Sequence, residues 1–238
     1  MMVEHLNKQL YDKQFEDDEW ELMYNILVEE KLKKMKKLVA GFAGRVLDVG
    51  CGNCWTNQLF DGNQVEHFGI DISDNALKRA EKKGVTVKKV DLDSHPIPFE
   101  DHFFDLVVCS DIIEHTLYPE NVLKEARRVL KEGGHVIVVV PNIASWFNRI
   151  LLPLGFYPWG VESTATLELG NVFFHWNTGH MRAYTKKSIT QLLELIGFQI
   201  QHYCGAHLNV SGVIQQCINL KQELMGKQVL PFFCIETV

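Results

Sequence analysis

From about Gly44 to Val140, short apolar runs alternate with helical patterns, and this rhythm constrains the fold more than any other feature. RVLDV (45–49), HFGIDI (67–72), VTVKKV (85–90), FDLVVCS (104–110) and HVIVVV (135–140) read as strands. Between them, 54–61 starts a helix. SDNALKRAEKKG is a helix that Ser73 or Asp74 can cap and Gly84 ends, and PENVLKEARRVLKEGG (119–134) opens at Pro119 and stops at its glycine pair. Strands that are apolar at nearly every position are buried on both faces. Strands separated by helices need crossover connections, so the sheet is parallel with right-handed crossovers. Further on, TKKSITQLLELIG (185–197) predicts a helix with Thr185 and Gly197 at its ends, and FQIQHYC (198–204) a strand. VLPFFCIETV (229–238) predicts a last strand after an excursion through 206–227. The expected class is α/β, a seven-stranded, mostly parallel sheet with helices on both faces.

Residues 141–184 break the rhythm, with three of the five tryptophans and no clear periodicity. A stretch of that length between sheet elements reads as a lid insertion. Ahead of the sheet, 16–39 reads as a helix, so the expected organisation is an N-terminal helical cap (1–43) and one domain (44–238) with its lid at about 141–184. The acidic FEDDEWE and basic KLKKMKK runs suit the two ends of one helix and read as its solvated face. A chain of 238 residues buries roughly 70% of its unfolded surface and needs no staples. Net charge is −6, which argues against broad nucleic-acid binding. The six cysteines are scattered apart from Cys51 and Cys54, which fits reduced thiols in a cytoplasmic protein. No apolar h-region starts the chain and no apolar run approaches 18 residues, so neither export nor stable membrane insertion is expected.

In an open parallel sheet, ligands sit outside the carboxyl ends of the strands. Asp48, Gly50 and Gly52 end the first strand, where glycines allow a sharp turn and close approach of a ligand. Asp71 ends the second strand, where an acid accepts from a ribose diol, and Asp91 ends the third. Asp111, Glu114 and His115 follow the fourth. The turn lacks the third glycine of a dinucleotide fingerprint, with Trp55 in that place, and no Lys-Ser/Thr makes it a phosphate-cradling loop. Asp48 repels a diphosphate and favours a cationic ligand, so the set suits an amino acid joined to an adenosine.

The segments VLDVGCGN, FGIDIS, VDLDSHPIPFEDHFFDLVVCSDIIEH, NVLKEARRVLKEGGHVIVVVPN and GHMRAYTKKSITQLLELIGF together resemble class I S-adenosylmethionine-dependent methyltransferases. The resemblance is in particular to the broad small-molecule group that includes ubiquinone-biosynthesis O-methyltransferases. The resemblance implies a Rossmann-like fold, S-adenosylmethionine as methyl donor and S-adenosylhomocysteine as product. It implies that Asp48, Gly50 and Gly52 bind the methionine portion and Asp71 the ribose hydroxyls. Ile72 would pack on the adenine, Asp91 would accept from its amino group with the Leu92 amide beside it, and Ser110 with Asp111 would floor the sulfonium. Where relatives carry a third small residue this chain has Cys54, which is assigned no cofactor contact.

Other readings compete at three places. Cys51 and Cys54 form a Cys-x-x-Cys pair at a helix start, yet no second ligand pair completes a zinc site, and a glycine loop with incidental cysteines is the expectation. Asp111-x-x-Glu114-His115 resembles a group that holds a divalent cation in some ubiquinone-pathway relatives; no metal is expected here. FFHWNTGHMRAY gathers His175, Trp176, His180, Arg182 and Tyr184. His175 and His180 are candidate bases alongside Glu114 and His115. The expected activity is methyl transfer to a small molecule at oxygen, by a monomer or homodimer. An RNA or protein methyltransferase and a non-catalytic S-adenosylmethionine-binding module are the alternatives.

Overall fold

A computed structural model describes residues 28–29, 31–60, 64–158, 160–164, 169–170, 179–205 and 234–237. Strand β1 (Gly44–Val49) pairs in parallel with β2 (Val65–Asp71) on one side and β4 (Phe104–Ser110) on the other. β3 (Thr86–Lys89) extends the sheet beyond β2, and β5 (Leu130–Val140) beyond β4, again in parallel. β7 (Cys234–Thr237) then adds antiparallel to β5, and β6 (His202–Cys204) to β7, giving the order β3-β2-β1-β4-β5-β7-β6. Five strands make the parallel part. The chain steps one way from β1 to β3 and the other way from β4 to β5, so a crevice opens where β1 and β4 end side by side.

Period-2 alternation sends β1, β4 and β5 side chains into two cores. Leu47, Val49, Val107, Cys109, Val136 and Val138 meet α3 (Pro119–Val129) and α5 (Lys186–Ile196) through Val122, Leu123, Ala126, Ile189 and Leu193. Val46, Leu106, Val108, Ile137 and Val139 face the other way, against Met35 and Val39 at α1 (residues 31–38) and against Trp55, Leu59 and Phe60. Helices on both faces are the expected layering. Lys31 departs from the expected solvated basic run: it is fully buried, on the stripe shared with Val28 and Met35. Residues 16–27 of the predicted helix lie outside the described residues.

Local chemistry accounts for most boundaries. Ser73 caps α2 (Asp74–Glu81) by accepting from the Ala76 N–H, and Ala76, Leu77 and Ala80 bury its inner face. Thr185 and Ser188 form a reciprocal capping box on α5, which Gly197 ends at φ 100°. The helix expected at 54–61 is a 3-10 helix, Trp55–Phe60. Other boundaries are corrected. The helix 119–134 ends at Val129, because β5 already begins at Leu130. The pairing jumps from Phe104↔Leu130 to Leu106↔His135, and Gly133 takes φ 73° inside that irregularity. The glycine pair therefore bends a strand and stops no helix. The strand expected over 198–204 is confined to His202–Cys204.

Within 141–184, the described residues include α4 (Trp146–Leu151) and a 3-10 turn, Leu152–Leu154. The ends of the segment meet, since the Ile143 N–H donates to the Tyr184 carbonyl at 2.9 Å and Asn142 bridges to Tyr184. Trp146, Ile150, Leu152, Leu154 and Phe156 are exposed. No helix of the described residues is long and apolar enough to cross a membrane.

Candidate functional site

The turn after β1 is shaped by close approach. The Gly50 and Cys51 N–H groups both donate to the Ile70 carbonyl, at 2.8 and 2.9 Å. Gly50 has φ 68°, and a Cβ there would lie 2.5 Å from Ile112 Cδ1, so only glycine fits. The Gly52 N–H, at φ 51°, donates to Asp71 Oδ2 at 2.8 Å, and the Ser73 N–H donates to Asp71 Oδ1 at 2.8 Å. Both Asp71 oxygens are thereby oriented. One strand further out, Asp91 Oδ1 accepts from the Asp93 N–H at 3.1 Å, while Asp91 Oδ2 is buried with no partner. Half-buried Ile72 and Leu92 stand beside these carboxylates. On the β4 side, Ser110 Oγ donates to Asp111 Oδ2 at 3.0 Å, and Lys31 Nζ donates to the same oxygen.

Asp48 is buried behind this turn. Thr56 donates to its Oδ2, and Cys54 Sγ lies 3.7 Å from the same atom. Burial first, and Cys54 second, pushes the Asp48 carboxyl well above the usual range. Cys54 Sγ also lies 3.6 Å from Thr56 Oγ1 and 3.6 Å from His67 Nε2, and His67 Nδ1 lies 3.0 Å from Asn57 Oδ1. The neighbouring Cys51 is the main influence holding the Cys54 thiol below its ordinary value, with His67 assisting against burial; Cys51 itself is pushed well up. Cys54 has φ 54°, a left-handed conformation that costs an L-residue about 1–2 kcal/mol. Its sulfur is thus the centre of a buried polar cluster, which the incidental-cysteine expectation did not anticipate. The period-2 face shared by His67 and Gly69 in β2 was the available signal.

The opposite wall gathers three of the four candidate bases. Glu114 is fully buried and neither carboxyl oxygen has a partner, while its carbonyl accepts from the Met181 and Arg182 N–H groups at 2.8 and 3.0 Å. Those bonds bring 179–184 onto the 3-10 turn Ile113–His115, and the His115 and His180 ring centroids stand 4.7 Å apart. Glu114, His115 and His180 each offer a ligand atom within 4.8 Å of the others, and so do Asp48, Cys54 and His67. Asp111, read beside Glu114 and His115 in the sequence, pairs with Lys31 instead. Burial pushes Glu114 well above its ordinary range, with Asp111 adding to it. Burial lowers both histidines, so their imidazoles are neutral near pH 7. His180 Nδ1 lies 3.1 Å from the Gly160 carbonyl and 4.0 Å from Glu162 Oε1, which also accepts the His180 main-chain N–H at 3.3 Å. Lys31 and Glu162 are polar groups of this wall that the sequence reading did not single out; Lys31 was hidden in a lysine run and Glu162 in aperiodic chain. His175 and Trp176 lie outside the described residues.

A parallel sheet with its carboxylates and glycine turn at the switch point defines a nucleotide-cofactor class of α/β protein. The family described as "Methyltransferase domain" matches residues 47–138. A demethylmenaquinone methyltransferase of Bacillus cereus is 31% identical over 66% of this chain and 81% of its own length. An uncharacterized protein of Methanocaldococcus jannaschii is 31% identical over 59% of this chain and 62% of its own. The chain thus spans about 60% of the length of the first curated relatives it matches. Among solved structures, a SAM-dependent methyltransferase from Thermotoga maritima has a TM-score of 0.61 at 19% identity, covering 97% of this chain and 92% of that one. The chain belongs to the class I S-adenosylmethionine-dependent methyltransferase family.

Proposed function

We propose that the protein transfers a methyl group from S-adenosylmethionine to a hydroxyl oxygen of a small molecule. The observation that carries the cofactor reading is Asp91 Oδ2, a buried acceptor without a partner just past the end of β3. An adenine amino group satisfies such an atom, and a buried acceptor left unmade is costly. In this reading Ile72 and Leu92 flank the adenine and Asp71 accepts from the ribose. Gly50 and Gly52 admit the methionine portion, and Ser110 lines the floor. Asp48 faces the α-amino group, whose cation would draw the carboxyl back to its ionised form.

When bound, S-adenosylmethionine supplies an electrophilic methyl on a good leaving group. The protein's task is then to align the acceptor, exclude water and remove a proton. Glu114, His115, His175 and His180 are the candidates for the proton. His180 has the best-supported geometry, a neutral imidazole held by Gly160 and Glu162. Residues 1–43 would cap the site and 141–184 would form its lid, on a domain spanning 44–238 that works as a monomer or homodimer without nucleic acid or a resident metal. The name of the B. cereus relative, a demethylmenaquinone methyltransferase, supports a small-molecule acceptor.

The test has two stages. Calorimetry with S-adenosylhomocysteine should give a saturable one-site isotherm, and absence of binding would sink the reading. A screen of hydroxylated small molecules, scored by S-adenosylhomocysteine release with and without Mg²⁺, then identifies the acceptor. Turnover on RNA or protein alone would replace it.

A further inference from the structure

We propose that Cys51 and Cys54 are a peroxide-sensitive thiol pair whose disulfide disables the cofactor turn. This rests on the cofactor reading of that turn given above.

Four observations on different residues converge. Cys54 keeps a side chain at φ 54°, where glycine would be free of strain, and backbone strain of this kind persists where the side chain has a use. Its sulfur is 3.6 Å from His67 Nε2, and His67 Nδ1 is 3.0 Å from Asn57 Oδ1, so the Asn57 amide oxygen fixes the tautomer with Nδ1–H and directs Nε2 at the sulfur. This is the cysteine–histidine–asparagine order that activates thiol nucleophiles. The Cys54 N–H closes a turn on the Cys51 carbonyl at 2.7 Å, and both side chains pack in one small core with Leu77, Ala80 and Val85, which keeps them near one another. Gly69 makes room for the Cys51 sulfur: a Cβ at that position would lie 2.8 Å from Cys51 Sγ. Both cysteines are free and buried, which restricts the oxidant to a small molecule such as hydrogen peroxide.

The chemistry balances with peroxide as the oxidant. The Cys54 thiolate attacks one peroxide oxygen, the O–O bond breaks, and the departing hydroxide takes a proton to become water. Cys51 then attacks the Cys54 sulfenic acid, an S–S bond forms, and the second oxygen leaves as water. Two electrons pass from the dithiol to peroxide. Forming the S–S bond requires the sulfurs to close to about 2 Å. Cys51 and Gly52 are adjacent, and their N–H groups donate to the Ile70 carbonyl and to Asp71 Oδ2. Drawing the loop together therefore disturbs the anchoring of the carboxylate assigned to the ribose.

The experiment uses the full chain, reduced with dithiothreitol, desalted and treated with hydrogen peroxide. Peptide mapping should find a Cys51–Cys54 disulfide, a loss of two hydrogens. S-adenosylhomocysteine affinity should fall at least tenfold and return on reduction, and prior saturation with that ligand should slow the oxidation. Cys51→Ser and Cys54→Gly should bind like the reduced protein and ignore peroxide. Absence of that disulfide, its formation with unchanged affinity, or stoichiometric zinc in the untreated protein each overturns the proposal. Reduced protein that maps correctly but never binds S-adenosylhomocysteine refutes the cofactor reading instead.

Discussion

Lys31, in the helix ahead of the sheet, forms a buried ion pair with Asp111, which lies just past the carboxyl end of β4. The pair fastens α1 to the floor of the candidate site, and Asp111 holds φ 52°, a conformation that short polar side chains tolerate. Removing one member of a buried pair strands the other charge, which costs about 3–5 kcal/mol. Lys31→Met should therefore lower stability by about 3 kcal/mol in denaturant titrations. Lys31→Met with Asp111→Asn should recover more than half, because no uncompensated charge is left.

Gly50→Ala and Gly84→Ala separate crowding from backbone strain. Both glycines have positive φ, 68° and 80°, but only at Gly50 does a Cβ meet atoms, with Ile112 Cδ1 at 2.5 Å. Gly84→Ala should cost about 1–2 kcal/mol and leave ligand binding intact. Gly50→Ala should cost more than that and abolish calorimetric binding of S-adenosylhomocysteine.

The carboxylates at the strand ends should differ in what they lose. Asp71→Ala removes the acceptor of two main-chain N–H groups and, in the proposed cofactor reading, the ribose partner, so affinity should fall at least a hundredfold. Asp91→Ala should weaken binding about tenfold, equivalent to about 1.4 kcal/mol. Equal affinity of Asp91→Ala and the parent chain would remove Asp91 from the site.

Glu114 and the two histidines bias stability in opposite directions with pH. The folded-state pKa of Glu114 is raised, so its contribution is complete below about pH 4.5 and is lost as pH rises through the folded value. His115 and His180 are lowered, so theirs is complete above about pH 6.5 and lost as pH falls through their folded values. Glu114→Gln should match the parent chain in melting temperature at pH 4.5. At pH 8 it should exceed it by several degrees, at about 2–4 °C per kcal/mol for a chain of this size.

With His180 as the base, kcat/KM for an acceptor found by product release should rise with pH through a value below 6.5 and be flat by pH 7. His180→Gln should lower kcat about a hundredfold or more and erase that limb. A preserved limb would move the role to His115 or another base.

Much of this architecture is legible in the residues alone. The run FDLVVCS is β4 to the residue, and Thr185 and Gly197 bound their helix as capping chemistry requires. Asp71 closes β2 and Asp91 lies two residues past β3, near the strand ends to which the hydrophobic rhythm assigns them. Lys31 was misread because a lysine in a lysine-rich run carries no mark of burial; its partner is eighty residues away. The glycine pair 133–134 was misread because glycine serves a bulge as well as a helix stop, and only pairing with β4 distinguishes them.

The sequence by itself determined the alternation of strands and helices, the parallel core and the acids at its carboxyl edge, because periodicity and turn chemistry are local. The tertiary structure alone decided which distant groups meet. It set Cys54 against His67 and Asp48, His180 against His115, and Lys31 against Asp111. Those contacts depend on strand register and on where residues 179–184 return to the turn after β4.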